Sequence, residues 1–419
     1  MIQISRESKA VVYAAGGVAG YGCILSLGLV GIYIVVLNPL KCSNFLSRYI
    51  REKYVIPNPI YHHKQFVEWL IGYGKKQVYK PVLFLSDDLY IYITSLYQNE
   101  LRNFYLYPYI DIQKIGQFLN KKLMYQTAAR IGLSVPPTLT SPISKDEIYK
   151  WNKFPAIIKP LVSRFNFKGE KLIDTLNFAT IFGSKAMQVN NTEELLEAVD
   201  RMKDRNIEFC IQMFIPGENR NIANIKFVSG QNYNIPSCFI SRKIRQRPVD
   251  FGICSVSKAE YIKELHDYAE KFCKMTEYVG PGSIEFKWSE KDNKWYFIEL
   301  NPRLDHWVGM STLKGVNLPL QQYLLSTGQE LLKYKQKVGG KYWIDILGDY
   351  WGLKWRLKHR KCHIALTEIL KPYLYFDEAI FNWLDPLPGV LRFTNEILTK
   401  ILNLLGKLIL LLKNICCIF

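Results

Sequence analysis

The sequence has little that would mark a disulfide-stapled or zinc-bound protein. Nine cysteines are scattered over 419 residues with no CxxC pair and no even spacing, and there are only six histidines. A disulfide framework and a zinc ribbon are thereby set aside, and reduced thiols in a cytosolic protein are expected. Acidic residues are also short: 37 Asp and Glu stand against 55 Lys and Arg, a net charge of +18. That excess calls for an anionic partner, such as a phosphate-rich cofactor, an acidic polymer, a nucleic acid or a membrane surface, without choosing among them. No internal repeat, low-complexity tract or nucleic-acid motif is present, so no nucleic-acid partner is expected. Hydrophobic residues at 48% and charged residues at 22% describe a globular chain long enough for two or three domains.

The one long uncharged stretch runs from Ala10 to Leu40, AVVYAAGGVAGYGCILSLGLVGIYIVVLNPL. It is long enough to cross a bilayer. Its glycines, however, fall between two β-type runs, AVVYAA and GIYIVVL, in the order strand, turn, helix, strand of a buried parallel βαβ unit. A dinucleotide fingerprint is not expected, because Ala15 stands where the first glycine of GxGxxG belongs. The stretch is also too long and glycine-rich for a signal peptide. KPVLFLSDDLY supplies another buried strand closing on Asp87 and Asp88, which completes an α/β domain over about residues 1–112. DIQKIGQFLNKKLMYQTAARIGL reads as a helix stopped by Gly132, and Thr192 reads as the cap of the helix that follows it.

Between 150 and 330 short strands and two helices alternate. The sharpest signal is GPGSIEFKWSEKDNKWYFIELNPRLDHW, two β-rich runs around a polar turn. Alternation along the strands turns Glu299, Asn301 and Arg303 one way, and sets Glu285 and Lys287 on a shared face of the partner strand. Carboxylate and amide oxygens are hard ligands suited to Mg²⁺, which is commonly held by one or two carboxylates together with substrate phosphates. An exposed hairpin laced with ion pairs is the plainer alternative. Lys159 ends the strand KFPAIIKP and Lys185 lies in FGSKAMQV, both suited to phosphate oxygens. EFCIQMFIPGENRNI gives an apolar strand, a Pro-Gly bend and then Glu218, a carboxylate that could accept from ribose hydroxyls.

The ordered set LNKKLM, FPAIIKP, GSKAMQV, IQMFIPGE, ISRKIRQRP, GSIEF and FIELNPR resembles the ATP-grasp superfamily over about residues 10–330, and within it the carboxylate–amine ligase branch that includes D-aspartate ligases. The resemblance implies an α/β and α+β protein with three parts. These are a Rossmann-like domain (1–112), an ATP-grasp domain with ATP between two subdomains (113–330), and a basic, aromatic and helical C-terminal extension (331–419). It implies Glu285, Glu299 and Asn301 as ligands of Mg²⁺ or Mn²⁺. Arg303, Arg245 and Lys243 would serve the reacting groups. Lys121, Lys159, Lys185 and Arg242 would meet the ATP phosphates, Gln212, Met213, Phe214 and Ile215 the adenine, and Glu218 the ribose. The implied reaction activates a carboxylate as an acylphosphate and passes it to an amine, on small-molecule or lipid-linked substrates that include a cell-wall or surface-polysaccharide precursor. A homodimer is in keeping with the family. A bicarbonate-activating enzyme and a non-catalytic ATP-binding scaffold remain as alternatives.

In the extension, GDYWGLKWRLKHRKCH interleaves Trp351 and Trp355 with lysines and arginines, and the last helix-like segment sets Glu396, Lys400, Asn403, Lys407 and Asn414 on one polar stripe. Both features suit the surface of an anionic membrane, which puts the protein in the cytoplasm, peripheral on the inner face. A helix packed onto the protein itself is the equal alternative, and His359 with His363 read as a solvated basic face before a metal pair. Cys416 formally opens a C-terminal prenylation box.

Overall fold

The computed structural model describes residues 4–13, 16–162, 184–358 and 366–400, with 178, 182 and the backbones of 165–168 and 171–174. His359, His363, residues 401–419 of the polar stripe and the Cys416 box lie outside them. Among the described residues the cysteines are all free, and no helix is long and apolar enough to cross a membrane.

The opening stretch folds as βαβ. Strand β1 (Ala10–Tyr13) leads through helix Val18–Gly28 into β2 (Ile34–Asn38), and both strands are almost wholly buried. They pair in parallel, and β3 (Ile50–Val55) and β4 (Val82–Leu85) extend the sheet in the order β3-β2-β1-β4. The glycines of the stretch have a packing reason. A Cβ on Gly22 would stand 2.6 Å from the backbone nitrogen of Gly309, so this helix presses directly on helix Val308–Leu313, far along the chain.

The segment 112–130 is two helices and not one. Helix Ile112–Leu119 ends at Asn120, whose side chain accepts from the backbone of Lys122 and Leu123 and so starts helix Lys121–Arg130 afresh. An asparagine competes well for a helix N-terminus because its oxygen satisfies donors that lack intrahelical partners. By the same mechanism Asn191, one residue before the expected Thr192, caps helix Thr192–Lys203.

Two further sheets are formed by the strands that follow residue 137. The smaller joins β5 (Thr138–Thr140), β6 (Ala156–Pro160), β9 (Met187–Val189) and β10 (Phe209–Met213) in the order β5-β10-β6-β9. Between β6 and β9 lies a short antiparallel pair, β7 (Phe165–Lys168) and β8 (Lys171–Asp174). The larger sheet is built on β11 (Ile222–Ser229), β12 (Cys238–Arg247), β13 (Ile253–Ala259), β14 (Gly280–Ser289) and β15 (Lys294–Asn301). The stretch after 330, expected as a separate extension, also enters this sheet. Its short strands β16 (Tyr342–Ile344) and β17 (Phe376–Glu378) continue the order β15-β14-β11-β12-β13-β16-β17.

Candidate active site

The β14–β15 hairpin forms as its alternation requires. Glu285 lies directly opposite Glu299, and Ser283 opposite Asn301, with a bulge between Glu285 and Phe286. Asn301 Nδ2 donates to Glu299 Oε1 at 3.4 Å, and Arg303 Nη2 donates to Asn301 Oδ1 at 3.1 Å. Two carboxylates, an amide and a guanidinium therefore follow one another along a single face.

Cations from four other elements close on that face. Lys243 of β12 meets Glu285 at 2.9 Å. Lys121, at the start of its helix, is buried, and its backbone N–H donates to Leu161 O, which docks the helix on the loop after β6. Lys159, at the end of β6, donates to Gln212 Oε1 at 2.8 Å and lies 5.2 Å from the Tyr125 ring centroid. Burial tends to raise the Glu299 pKa, but the charges of Lys121, Lys185, Lys159 and Lys243 outweigh it and hold the carboxyl below its usual value. Burial also pushes the Lys121 and Lys159 ammonium groups below theirs.

The parallel sheet β3-β2-β1-β4 contributes as well. Asp87 caps helix Asp88–Leu96, and Asp88 accepts from Arg303 Nε at 2.5 Å. Burial would lower the Arg303 pKa, yet Asp88 and Asp87 raise it further, so this guanidinium is a fixed charge. The βα loop at the end of β4 thus steadies the last residue of the motif.

Several residues marked in the sequence are elsewhere. Arg242 alternates with Lys243 onto the other face of β12, where it makes two hydrogen bonds to Glu260, at 2.5 and 2.7 Å, and lies 5.6 Å from the Trp295 ring. Arg245 follows a register shift and is buried against Asp349 through three hydrogen bonds of 2.6–3.1 Å. Gln212 turns inward to Lys159 and Thr138, leaving Met213, Phe214 and Ile215 as the apolar linker. Glu218 is exposed beside Arg220 at 2.7 Å, just past Gly217, whose φ of +116° makes the bend.

A further cluster is not evident from the motifs. Lys226, wholly buried on β11, pairs with Asp305 at 2.9 Å, donates to Asn224 at 2.5 Å and lies 4.2 Å from the Trp307 ring. Ser283 donates to the same Asp305 at 2.6 Å. The sequence does carry a signal for it: a lone lysine inside the apolar run IANIKFV must be paired if the strand is central. Lys287, 4.6 Å from the Phe214 ring, is pushed down to about 8 by burial.

Among the described residues no group of three or more His, Cys, Asp or Glu is placed to hold a metal. Glu285, Glu299 and Asn301 form the other kind of set, hard oxygen donors too few to complete a shell, whose remaining positions suit phosphate oxygens and water.

Residues 237–334 match the family described as carbamoyl-phosphate synthase L chain, ATP binding domain. D-aspartate ligase of Enterococcus faecium is 22% identical over 273 residues, 60% of this chain and 61% of that protein, so the match spans about three fifths of the relative. Among solved structures, the L-amino acid ligase from Bacillus licheniformis aligns with a TM-score of 0.56 at 12% identity, covering 79% of this chain and 76% of that one. N5-carboxyaminoimidazole synthetase from Staphylococcus aureus, complexed with ADP, aligns with a TM-score of 0.57 at 17% identity, covering 80% and 82%. In fold, in the matched segment and in a motif that folds as its alternation requires, the chain is similar to ATP-grasp ligases, D-aspartate ligase among them.

Proposed function

We propose that the protein is an ATP-dependent ligase that joins a carboxylate to an amine, releasing ADP and phosphate. The observation that carries this is the Glu285–Glu299 cross-strand pair set among Lys121, Lys159, Lys185 and Lys243 and followed by Arg303. Cations gathered on a carboxylate pair, Lys121 and Lys243 buried, Lys159 half-buried and Lys185 exposed, are matched to a polyphosphate with a divalent cation, because a buried charge is costly without its complement.

In the proposed reaction a carboxylate oxygen of the substrate attacks the γ-phosphorus of ATP, forming an O–P bond while the bridging bond to the β-phosphate breaks and ADP leaves. The amine nitrogen then attacks the acyl carbon. The C–N bond forms, phosphate departs with the electron pair of the C–O bond, and the nitrogen loses its proton. Lys121, Lys159 and Lys185 would hold the phosphates, and Met213, Phe214 and Ile215 the adenine, with Glu218 at the ribose. Glu285, Glu299 and Asn301 would hold Mg²⁺ or Mn²⁺, which when bound neutralises charge on the phosphates. Arg303, steadied by Asp88, would face the oxyanion that develops in both steps. Lys243 would stay with Glu285. Arg242 and Arg245 are bound by Glu260 and Asp349, which leaves them no part in this scheme.

The test is ADP release by purified protein with ATP and Mg²⁺, challenged with pools of amino acids and uronic acids. Turnover that needs both a carboxylate and an amine supports the ligase. ADP release with bicarbonate alone would instead select the bicarbonate-activating alternative, and tight ATP binding with no turnover from any pool would select the scaffold. Lys159→Met should raise KM for ATP by roughly 10- to 100-fold, the loss of one hydrogen bond to a charged group.

The surface of the extension favours action at a membrane, on a lipid-linked precursor. Among the described residues of 354–398 large apolar side chains are exposed, with Leu374 at 83% and Trp383 at 87%, in a segment that also carries Lys354, Arg356, Lys358 and Lys371. Apolar groups among basic ones suit the headgroup region of an anionic bilayer. Trp351 faces inward instead. Its Nε1 donates to Glu396 at 3.1 Å, and Lys400 lies 5.0 Å from its ring, which ties helix Ile346–Lys358 to the helical stretch 387–400. The full chain should sediment with phosphatidylglycerol vesicles at low salt and not with phosphatidylcholine ones. Leu374→Ser with Trp383→Ser should lower that binding about tenfold or more, the loss of two buried apolar groups. Equal recovery with both vesicle types, or none with either, would refute the membrane placement.

A further inference from the structure

The cluster around Lys226 takes no part in the proposed transfer, yet it lies on the same sheet face. Cross-strand register sets two rows side by side there: Asn224, Glu285 and Glu299 in one, and Lys226, Ser283 and Asn301 in the next. Lys226 is therefore a wholly buried ammonium in the row that carries the amide of the motif. An ammonium has three hydrogens to donate. They go to Asn224 Oδ1 at 2.5 Å and to both oxygens of Asp305, at 2.9 and 3.2 Å. The Asp305 carboxylate is closed off in the same way, since a carboxylate offers about four acceptor positions. Its Oδ1 takes Lys226 and the backbone N–H of Trp307 at 3.2 Å, and its Oδ2 takes Lys226 and the Ser283 hydroxyl at 2.6 Å. The Trp307 ring lies 4.2 Å from the ammonium.

Arg303 stands within reach of more than one carboxylate. Its Nε donates to Asp88 at 2.5 Å, and the charges of Asp88, Asp87 and Asp305 all act on it. Asp305 is only two residues further along the same turn, but Lys226 already matches its charge and occupies both of its oxygens. Without that lysine, a carboxylate in a low-dielectric site would be left with open acceptor positions beside a guanidinium, the donor that pairs with carboxylates most strongly. We propose that Lys226 is a positioning residue for the reaction: by neutralising Asp305 and filling its acceptor positions, it keeps the Arg303 guanidinium on Asp88, facing the group that is transferred.

The network has the completeness that orientation needs and no opening for a ligand. Asn224 Nδ2 donates to Ser283 Oγ at 2.9 Å, so the residues that meet Lys226 and Asp305 also meet each other. A wholly buried lysine with every hydrogen engaged cannot reach a phosphate, which sets Lys226 apart from Lys121, Lys159 and Lys185. Stability alone does not call for it either, because a well-packed apolar pair in place of a buried ion pair is often neutral or stabilising. What a matched pair supplies is a fixed charge pattern behind Arg303: one carboxylate, Asp88, available to the guanidinium, and a second, Asp305, withdrawn from it.

The proposal rests on the ligase reading for the use made of Arg303, but its geometry is tested without turnover. The Nε–H resonance of Arg303 would be followed by nuclear magnetic resonance in the full chain carrying isotope-labelled arginine, assigned by its loss in Arg303→Lys, with Asp88→Asn marking where the signal lies once that hydrogen bond is weakened. Lys226→Met should displace the signal, and adding Asp305→Leu to it should bring the signal back towards wild type, because no second carboxylate then competes. Lost stability alone would reduce the amount of folded protein without displacing the signal. In the kinetic arm, kcat for ADP formation should fall by about tenfold or more in Lys226→Met with KM for ATP unchanged, and should rise again in the double variant. Where Lys226→Met does not fold, Lys226→Gln, which keeps amide donors without the charge, takes its place. An Arg303 signal indifferent to the loss of the lysine, a displacement as large in the double variant as in the single one, or an unchanged kcat would overturn the positioning role. Failure of the ligase reading would show differently, as an Arg303 signal that moves and returns as described with no ADP release from any pool.

Discussion

Glu299→Gln should lower the rate of ADP formation by about 10²- to 10³-fold, the range found when one charged or dipolar group aimed at a transition state is removed. The substitution keeps size and hydrogen-bonding capacity, so the β14–β15 register that sets Glu299 opposite Glu285 should persist. What it removes is the charge on which Lys121, Lys185, Lys159 and Lys243 converge. The variant therefore has more uncompensated positive charge in the cleft. ATP should still bind, with KM unchanged or lower, while kcat falls. That split separates a group acting on the transferred phosphoryl from one that only anchors nucleotide, which would raise KM and leave kcat. The pH profile gives a second check. Glu299 is held below the usual carboxylate range, so its ionisation is complete well below neutral pH, and any loss of activity between pH 6 and 8 should be the same in wild type and variant. A fall of less than about threefold in kcat would remove Glu299 from the reaction.

How legible the site was depended on parity along strands. The hairpin was readable because its charges alternate strictly with bulky apolar residues, and a regular strand converts that alternation into shared faces. Strand β12 was not. Its arginines and lysines, ISRKIRQR, all look available, but Arg242 and Lys243 must diverge, and register shifts on both sides of Arg245 then break the alternation. Nothing in the residue types marks those irregularities. Gln212 departs from its expected place for a related reason: it belongs to the last regular pairs of β10, opposite Ile157 and Thr138, and so points into the sheet's polar seam before the linker begins. The strands β16 and β17 are three residues each, too short for any periodicity, and only partners far away in the chain define them. Asn120 was the reverse case, a residue whose local chemistry as a cap accounts for the break in the helix and for where Lys121 ends up.

Arg245→Met should destabilise the protein by about 3–5 kcal/mol, the usual cost of removing one partner from a buried ion pair. Asp349 would be left 1% exposed with its charge uncompensated. It also accepts from Ser255 at 2.8 Å and from Tyr373 at 2.5 Å, hydrogen bonds that soften the penalty without supplying a positive charge. Asp349→Leu should cost a similar amount, because it strands the guanidinium, whose other contacts are 3.3 Å hydrogen bonds to the carbonyls of Glu368 and Ile369. The double variant should lose clearly less than the sum, since neither charge then remains buried alone. Denaturant midpoints for the two single variants and the double one measure this directly. Function should follow the same order for a structural reason. Arg245 lies two residues from Lys243, and Asp349 lies on helix Ile346–Lys358, so this one ion pair joins the strand that neutralises Glu285 to that helix. At a temperature where Arg245→Met stays folded, ATP affinity should be nearly unchanged and turnover should fall only in step with the lost stability. A variant of wild-type stability that had lost turnover would show instead that Arg245 touches the reacting groups, as the sequence pattern RKIRQRP suggested.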